Sequence, residues 1–310
     1  MALAGLLVGL SPTYITLALC LVLLGVAGGG YHPAAAPMVS ASVESKNRGR
    51  ALGLHQIGGT GSFFLAPLIA AGVASTLGWR GSFIAVAIPS LIFGIVFYML
   101  LGRLGYTKKA KQGIPAGYTE TPPTPGHLRR LVAFLILGIT SVALVYSVIM
   151  FIPLFIVDCF GVGEEVAAAM LALVYFAGLW AGPLGGYLSD RLGTVPVILA
   201  VGLIAGPAVY LMNLTTFGWS LSAILIIIGM VVHLGMPVSE AYIISHTSER
   251  RRSTVLGIYY FAGRGGPGVI APAIGYLIDQ FGFYTSFTIV GAAVAVVTLG
   301  CAIFLWGSRD

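Results

Sequence analysis

Residues 47–62, NRGRALGLHQIGGTGS, return 204 positions later as residues 251–266, RRSTVLGIYYFAGRGG. Arg48, Leu52, Gly53, Gly59 and Gly61 meet Arg252, Leu256, Gly257, Gly263 and Gly265 in the same order. The offset also carries Gly25 and Pro33 to Gly229 and Pro237, and Gly78, Ser82 and Phe83 to Gly282, Ser286 and Phe287. The last third of the chain therefore repeats its first third, through segments that are nearly all long enough to cross lipid. Such a duplication is the mark of a transporter, because paired halves supply two bundles that can rock about a central site.

Composition fixes the solvent. With 58% apolar residues, 8% charged residues and a mean hydropathy of +0.98, the chain is far from a soluble domain, in which about a quarter of the residues are charged. Helices are expected, since a bilayer interior demands that backbone polar groups be satisfied within each segment. The Leu, Val, Ile, Ala and Gly runs lack the alternation of a membrane barrel. The expected spans are 14–43, 51–77, 81–104, 130–158, 166–188, 194–214, 218–247, 253–278 and 284–306. Residues 1–12 are too short to cross and read as the clipped end of a longer helix. Applying the offset to the span that opens near residue 130 puts its counterpart about 75 residues before Met1. The implied fold is an all-α polytopic membrane protein of twelve spans in two sixes, of which this chain holds about ten, the first partial. Residues 1–104 form an N-terminal bundle lacking its first two helices and most of the third, 105–128 a Pro-rich linker, and 129–310 a complete six-helix bundle.

Fourteen of the sixteen Lys and Arg residues fall on one set of alternating loops or on the C-terminus, among them Arg48, Lys109, Arg191 and Arg251. By the positive-inside rule those loops are cytoplasmic, in a multi-pass protein of the plasma (inner) membrane. The net charge of +6 then reports topology, and nucleic-acid binding is not needed to explain it. Cys20, Cys159 and Cys301 are scattered and odd in number, and give neither a disulfide framework nor a metal site.

Residues 186–193, GYLSDRLG, lie on a short loop between two spans and resemble the Gly-x-x-x-Asp-Arg-x-Gly signature of the major facilitator superfamily. The resemblance covers the whole chain and implies that family's two-bundle fold, with this loop between helices 8 and 9. It makes 14–43 the fourth helix, 51–77 the fifth, 218–247 the tenth and 253–278 the eleventh. Gly186, Asp190, Arg191 and Gly193 then form a gating loop, although the family's basic pair after the last Gly is replaced by Thr194 and Val195. Physically, Asp190 stands where it can face the N-terminus of a neighbouring helix or a basic loop when that side is closed; the alternative is a tight turn with a solvated Asp190–Arg191 pair. Gly53, Ser62, Ala66 and Pro67 are similar in spacing to the helix-packing motif of drug/proton antiporters in the same superfamily. Gly28–Pro33 followed by Gly49–Gly59 resembles its fosmidomycin-resistance branch, which implies proton-driven export.

Ionisable groups at membrane depth cost roughly 2.5–3.5 kcal/mol each on insertion scales and are candidates for function. Here they fall on the fourth, fifth, tenth and eleventh helices, which in the family border the central cavity: His32, His55, His233, Glu240 and Arg264. His233 and Glu240 are seven apart and share a face of one helix. Folding 218–247 and 253–278 as a hairpin brings Glu240 level with Tyr260 and places Arg264 about one turn, or 6 Å, deeper. A Glu240–Arg264 ion pair is within reach. Either Arg264 binds an anionic substrate group while Glu240 gains and loses a proton, or the two are a fixed pair pinning the helices.

No His-Glu-x-x-His, paired-Asp or Gly-x-Ser-x-Gly motif is present, which weighs against an intramembrane enzyme, and the histidines lack metal-ligand spacing. The expectation is a monomeric secondary transporter, without cofactor or metal, that moves a small-molecule substrate across the lipid bilayer with protons. Export leads, uptake of a small organic anion is the alternative, and an inactive fragment is the alternative of another class.

Overall fold

The computed structural model describes residues 1–103 and 126–305. Nearly all of the expected linker lies outside the described residues, as do Lys109 and the C-terminal arginine. Among the described residues every regular element is helical. They are α1 (Ala2–Gly9), α2 (Tyr14–Gly29), α3 (Tyr31–Ala41), α4 (Arg48–Arg103), α5 (His127–Phe160), α6 (Glu164–Leu192), α7 (Thr194–Leu211), α8 (Trp219–Ser245) and α9 (Glu249–Leu305).

Two departures from the expected spans have local causes. The span 14–43 is broken between α2 and α3, after the run Gly28–Gly30. Pro33, in the first turn of α3, has no N–H to offer the Gly29 carbonyl and its ring crowds that oxygen, so the helix restarts there. Conversely, α4 and α9 run through 56 and 57 residues. At 1.5 Å per residue a straight helix of that length would reach roughly 85 Å, nearly three bilayer cores. Each is broken by one residue outside helical space: Gly78 at φ 66°, ψ 177° and Gly282 at φ 78°, ψ 170°. These two glycines are a repeat pair, and they divide the helices into α4a (48–77) and α4b (79–103), α9a (249–281) and α9b (283–305).

The chain packs as two compact units, Met1–Tyr31 with Leu65–Pro122, and His32–Phe64 with Pro123–Asp310. In the first, α1 lies on α4b: a Cβ on Gly9 would stand 2.9 Å from the Arg80 carbonyl oxygen, and Arg80 donates through Nε and Nη2 to the Ser11 carbonyl at 3.2 and 3.0 Å. The second has a continuous apolar core. Phe155 of α5 meets Phe283 and Phe287 of α9b at centroid distances of 5.6 and 5.3 Å, and Leu225 and Ile228 of α8 are buried in the same cluster.

Lipid tails are as apolar as Leu, so helices in a bilayer associate through close packing, which small residues allow. A Cβ on Gly206 of α7 would lie 2.6 Å from the Gly291 carbonyl oxygen of α9b, and one on Gly202 would lie 2.6 Å from Thr298 Oγ1. A smaller cluster joins Ala36, Leu52, Met236, Ile243, Leu256 and Tyr260, bringing α3 and α4a onto α8 and α9a. The large side chains left outside, such as Phe261 and Val269 at 83% and 79% exposed, suit a surface that meets lipid.

A methyl group added at Gly78 or Gly282 would meet no atom within 4 Å, so substitution there would strain only the backbone. Gly78→Ala and Gly282→Ala are each expected to cost about 1–3 kcal/mol, the penalty of a conformation open essentially to glycine alone. Thermal unfolding of the detergent-solubilised protein should show lower midpoints for both.

Candidate functional site

Glu240 is fully buried, one turn past Pro237 on α8. Its Oε1 accepts a hydrogen bond from Gln56 Nε2 of α4a at 2.9 Å and another from the Tyr260 hydroxyl of α9a. Its Oε2 is equally buried and has no partner. One carboxyl oxygen therefore joins three helices while the other stands unused. Leaving a polar atom unpaired at such depth costs on the order of 1–3 kcal/mol.

The hairpin geometry read from the sequence holds for Tyr260, which is level with Glu240. The expected ion pair with Arg264 is not formed. Arg264 lies one turn along α9a from Tyr260, and in antiparallel register that turn brings it to Met236, one turn before Glu240 on α8. Its Nη2 is 3.3 Å from Met236 Sδ and its guanidinium is 5.2 Å from the centre of the Tyr146 ring. Among the described residues the sole ion pair is the surface contact Lys46–Glu44 at 2.8 Å. Arg264 is exposed and lines a small pocket with Tyr146, Met236, Tyr259, Tyr260 and Gly263. The cavity volume is about 10 Å³, room for one water.

His32 belongs to this site: its ring stacks on Tyr260 with centroids 4.9 Å apart and planes 24° from parallel. His55 is half-buried on α4a beside Gln56. His233, two turns from Glu240, lies in the packing between α6 and α8. Its Nδ1 donates to the Gly229 carbonyl at 2.8 Å, and its ring fills the space beside Gly178, where a Cβ would stand 2.8 Å away.

Gln56 bears no charge, so a search for ionisable groups passes over it, yet the repeat contains the signal. Gln56 and Tyr260 are 204 positions apart, so the two donors to Glu240 Oε1 are repeat equivalents. The other equivalents diverge. Ala36 stands for Glu240, and Thr60, for Arg264, bonds the Gln56 carbonyl of its own helix at 3.1 Å.

At the Arg-rich end of the same unit, the Asp190 carboxylate accepts from the Gly49 amide at 2.8 Å through Oδ1 and from the Arg50 amide at 2.9 Å through Oδ2. These are unsatisfied first-turn amides of α4, where the helix dipole favours a negative charge. The approach needs glycine on both sides. A Cβ on Gly53 would fall 2.5 Å from the Gly182 carbonyl oxygen, and one on Gly186 would overlap the Gly49 carbonyl. Arg191 turns away from Asp190 and stacks on Tyr187 at 4.9 Å, which Arg50 also faces at 4.8 Å. Gly193, at φ 89° and ψ 156°, separates α6 from α7. Arg48 donates to Ser245 Oγ at 3.1 Å; burial and the neighbouring Arg252 hold its guanidinium below the ordinary value, with Asp190 opposing. Of the antiporter-like set, Gly53 lies in this seam, Ser62 donates to the Gly59 carbonyl at 2.6 Å, and Ala66 is exposed; the Pro67 side chain lies outside the described residues.

A model of the Major Facilitator Superfamily matches residues 1–179 and again 134–310. Similar curated proteins include a probable 4-methylmuconolactone transporter of Cupriavidus pinatubonensis, 24% identical over 99% of this chain and 75% of its own length. The cis,cis-muconate transport protein of Acinetobacter baylyi is 23% identical over 96% and 74%, and the multidrug resistance protein MdtG of Dickeya zeae 24% over 96% and 72%. Among solved structures, a variant of the Escherichia coli fucose:proton symporter FucP superposes with a TM-score of 0.70 at 16% identity, covering 100% of this chain and 82% of that one.

Asp190→Asn keeps the side-chain shape and removes the charge from the first turn of α4. The loss should be about 1 kcal/mol, hence roughly five- to tenfold faster hydrogen exchange at the Gly49 and Arg50 amides. Exchange followed by mass spectrometry on peptides covering residues 45–55 checks this.

Proposed function

The chain belongs to the Major Facilitator Superfamily, and on that premise we propose that it is a secondary active transporter carrying a small organic anion together with a proton, by alternating access. Arg264 receives the anion and Glu240 the proton. The observation that carries this reading is the state of Arg264: a permanent cation on a pocket wall, with no carboxylate in salt-bridge range among the described residues. A charge at membrane depth is costly unless it has a partner, and Arg264 is exposed and so open to one. An arriving carboxylate compensates it, and a guanidinium holds a carboxylate through two parallel bonds.

The arrangement also gives the sign of coupling. While Arg264 is empty, its charge favours the ionised form of the carboxyl one turn away. Once an anion neutralises Arg264, that support is withdrawn and a proton on Glu240 is favoured. Anion and proton thus strengthen each other's binding, and the effect is reciprocal by linkage. Co-transport needs that sign; exchange needs competition. The free Oε2 supplies the proton's seat. The relatives named for cis,cis-muconate and 4-methylmuconolactone support a small organic solute of this kind.

Proton-driven export is the second reading. It is favoured by the glycine seam at Gly53, which has the spacing of the antiporter motif, and by the MdtG relatives. In either reading the protein works as a monomer in the inner membrane, with the loops of Arg48, Lys109, Arg191 and Arg251 in the cytoplasm, so that the Asp190 contact with α4 closes the cytoplasmic end.

Reconstituted vesicles with cis,cis-muconate as the anionic probe and its dimethyl ester as the neutral comparison test the assignment. Glu240→Gln should abolish transport driven by a pH gradient while muconate binding stays measurable. Full proton coupling in that variant would sink the role of Glu240. Arg264→Ala should raise the KM for muconate by about tenfold or more, the loss of a hydrogen bond to a charged group. An equal effect on the ester removes the anion role.

A further inference from the structure

Gln56 is 4% exposed and its side-chain amide points at Glu240. It is also the residue that ties α4a to the carboxyl, since Tyr260 belongs to α9a. Seven residues before it on the same helix, Gly49 gives its amide to Asp190, and between them Gly53 rests on Gly182. Along two turns, α4a is therefore held at three levels: a charge at its N-terminus, backbone contact in the middle, and one hydrogen bond to an ionisable group at the top. Two of the three are insensitive to whether Glu240 is charged. The third is not.

Because Oε1 already accepts from both Gln56 and Tyr260, a proton arriving from solution bonds to Oε2, the oxygen without a partner. The carboxylate becomes a neutral carboxyl, and hydrogen bonds to an ionised acceptor are roughly twice as strong as those to a neutral one. Protonation thus weakens the Gln56 bond that holds α4a, together with the Tyr260 bond to the same oxygen, while the Asp190 and Gly53 contacts of α4a involve no atom of Glu240. We infer that Gln56 is the positioning residue through which the charge on Glu240 is passed to α4a, and so to the Asp190 contact that closes the Arg-rich end. It acts through Glu240 and handles neither proton nor substrate. This rests on Glu240 being the proton site.

Other titratable and charged groups lie on the elements packed about the carboxyl: His32 on α3, stacked on Tyr260; His55 on α4a; Tyr146 on α5 with Tyr259, Tyr260 and Arg264 on α9a around one small pocket; and His233 two turns away on α8 itself. On α4a, Gln56 donates directly to Glu240 Oε1. The pseudo-symmetry supports a built arrangement, since the position 204 residues on from Gln56 supplies the matching donor from the other repeat.

The test places spin labels at Lys46→Cys and Leu192→Cys, both at exposed positions, in a background where Cys20, Cys159 and Cys301 are replaced. The distance between labels is followed against pH in reconstituted protein. The parent should show a pH-driven shift that Glu240→Gln abolishes. Gln56→Met, of similar length but without the amide, should lack the shift while still binding muconate. Gln56→Glu, of the same shape, places two carboxyls face to face that must share a proton, so its shift should occur at higher pH than in the parent. A parent-like response in Gln56→Met, or a parent-like midpoint in Gln56→Glu, overturns the inference. If Glu240→Gln abolishes the shift and Gln56→Met does not, this inference alone fails. A parent without a pH response, or a Glu240→Gln protein that responds like the parent, overturns the proton reading with it.

Discussion

A carboxyl group buried among apolar helices must find donors, and the way Glu240 finds them organises the second unit. Its Oε1 takes one donor from α4a and one from α9a, so a single atom on α8 draws two other helices together. Around it Ala36, Leu52, Ile243 and Leu256 close into an apolar cluster, which removes water and makes each of those hydrogen bonds count for more. The same closure makes the second oxygen expensive to leave alone. The oxygen that gathers these helices and the oxygen without a donor thus belong to the same group, and a proton is the smallest thing that resolves the imbalance.

The Arg-rich end depends on a different kind of contact. Because lipid offers helices no hydrophobic reason to associate, α4a and α6 meet where glycines let backbone touch backbone, at Gly49 and Gly53 against Gly182 and Gly186. Dispersion over so close an approach is steep with distance, so the seam is either shut or lost, with little between. Asp190 adds a charge to the helix end at one edge of this seam. A two-position contact of this sort is what alternating access requires, since a continuously deformable one would leak.

Much of this was legible from residue order. The spans followed from hydropathy, and the repeat pair Gly78 and Gly282 fell where the long helices α4 and α9 break. The restart of the helix after Gly30 was not expected, although Pro33 explains it once seen, and of the two partners open to Asp190, a helix N-terminus or a basic loop, the structure shows the helix N-terminus. Counting turns around residue 250 made Glu240 level with Tyr260. What failed was the next step: reach permits Glu240 to meet Arg264, but reach also permits Tyr260 and Gln56. Which partner a carboxyl keeps depends on differences of one turn between side chains on separate helices, and turn counting is no finer than that.

The sequence by itself determined the all-helical class, the order of the apolar segments, the breaks near Gly78 and Gly282 and the duplication, because each of these is set by neighbours along the chain. Only the tertiary structure decided that Gln56 joins Tyr260 on one oxygen of Glu240, that Arg264 rests on Met236 and Tyr146 with no carboxylate in salt-bridge range among the described residues, and that His233 is held by its own helix. Those outcomes are competitions among groups distant in sequence for the same few ångströms of space. They are settled by how closely α4a, α8 and α9a approach, which the glycines permit but do not by themselves specify.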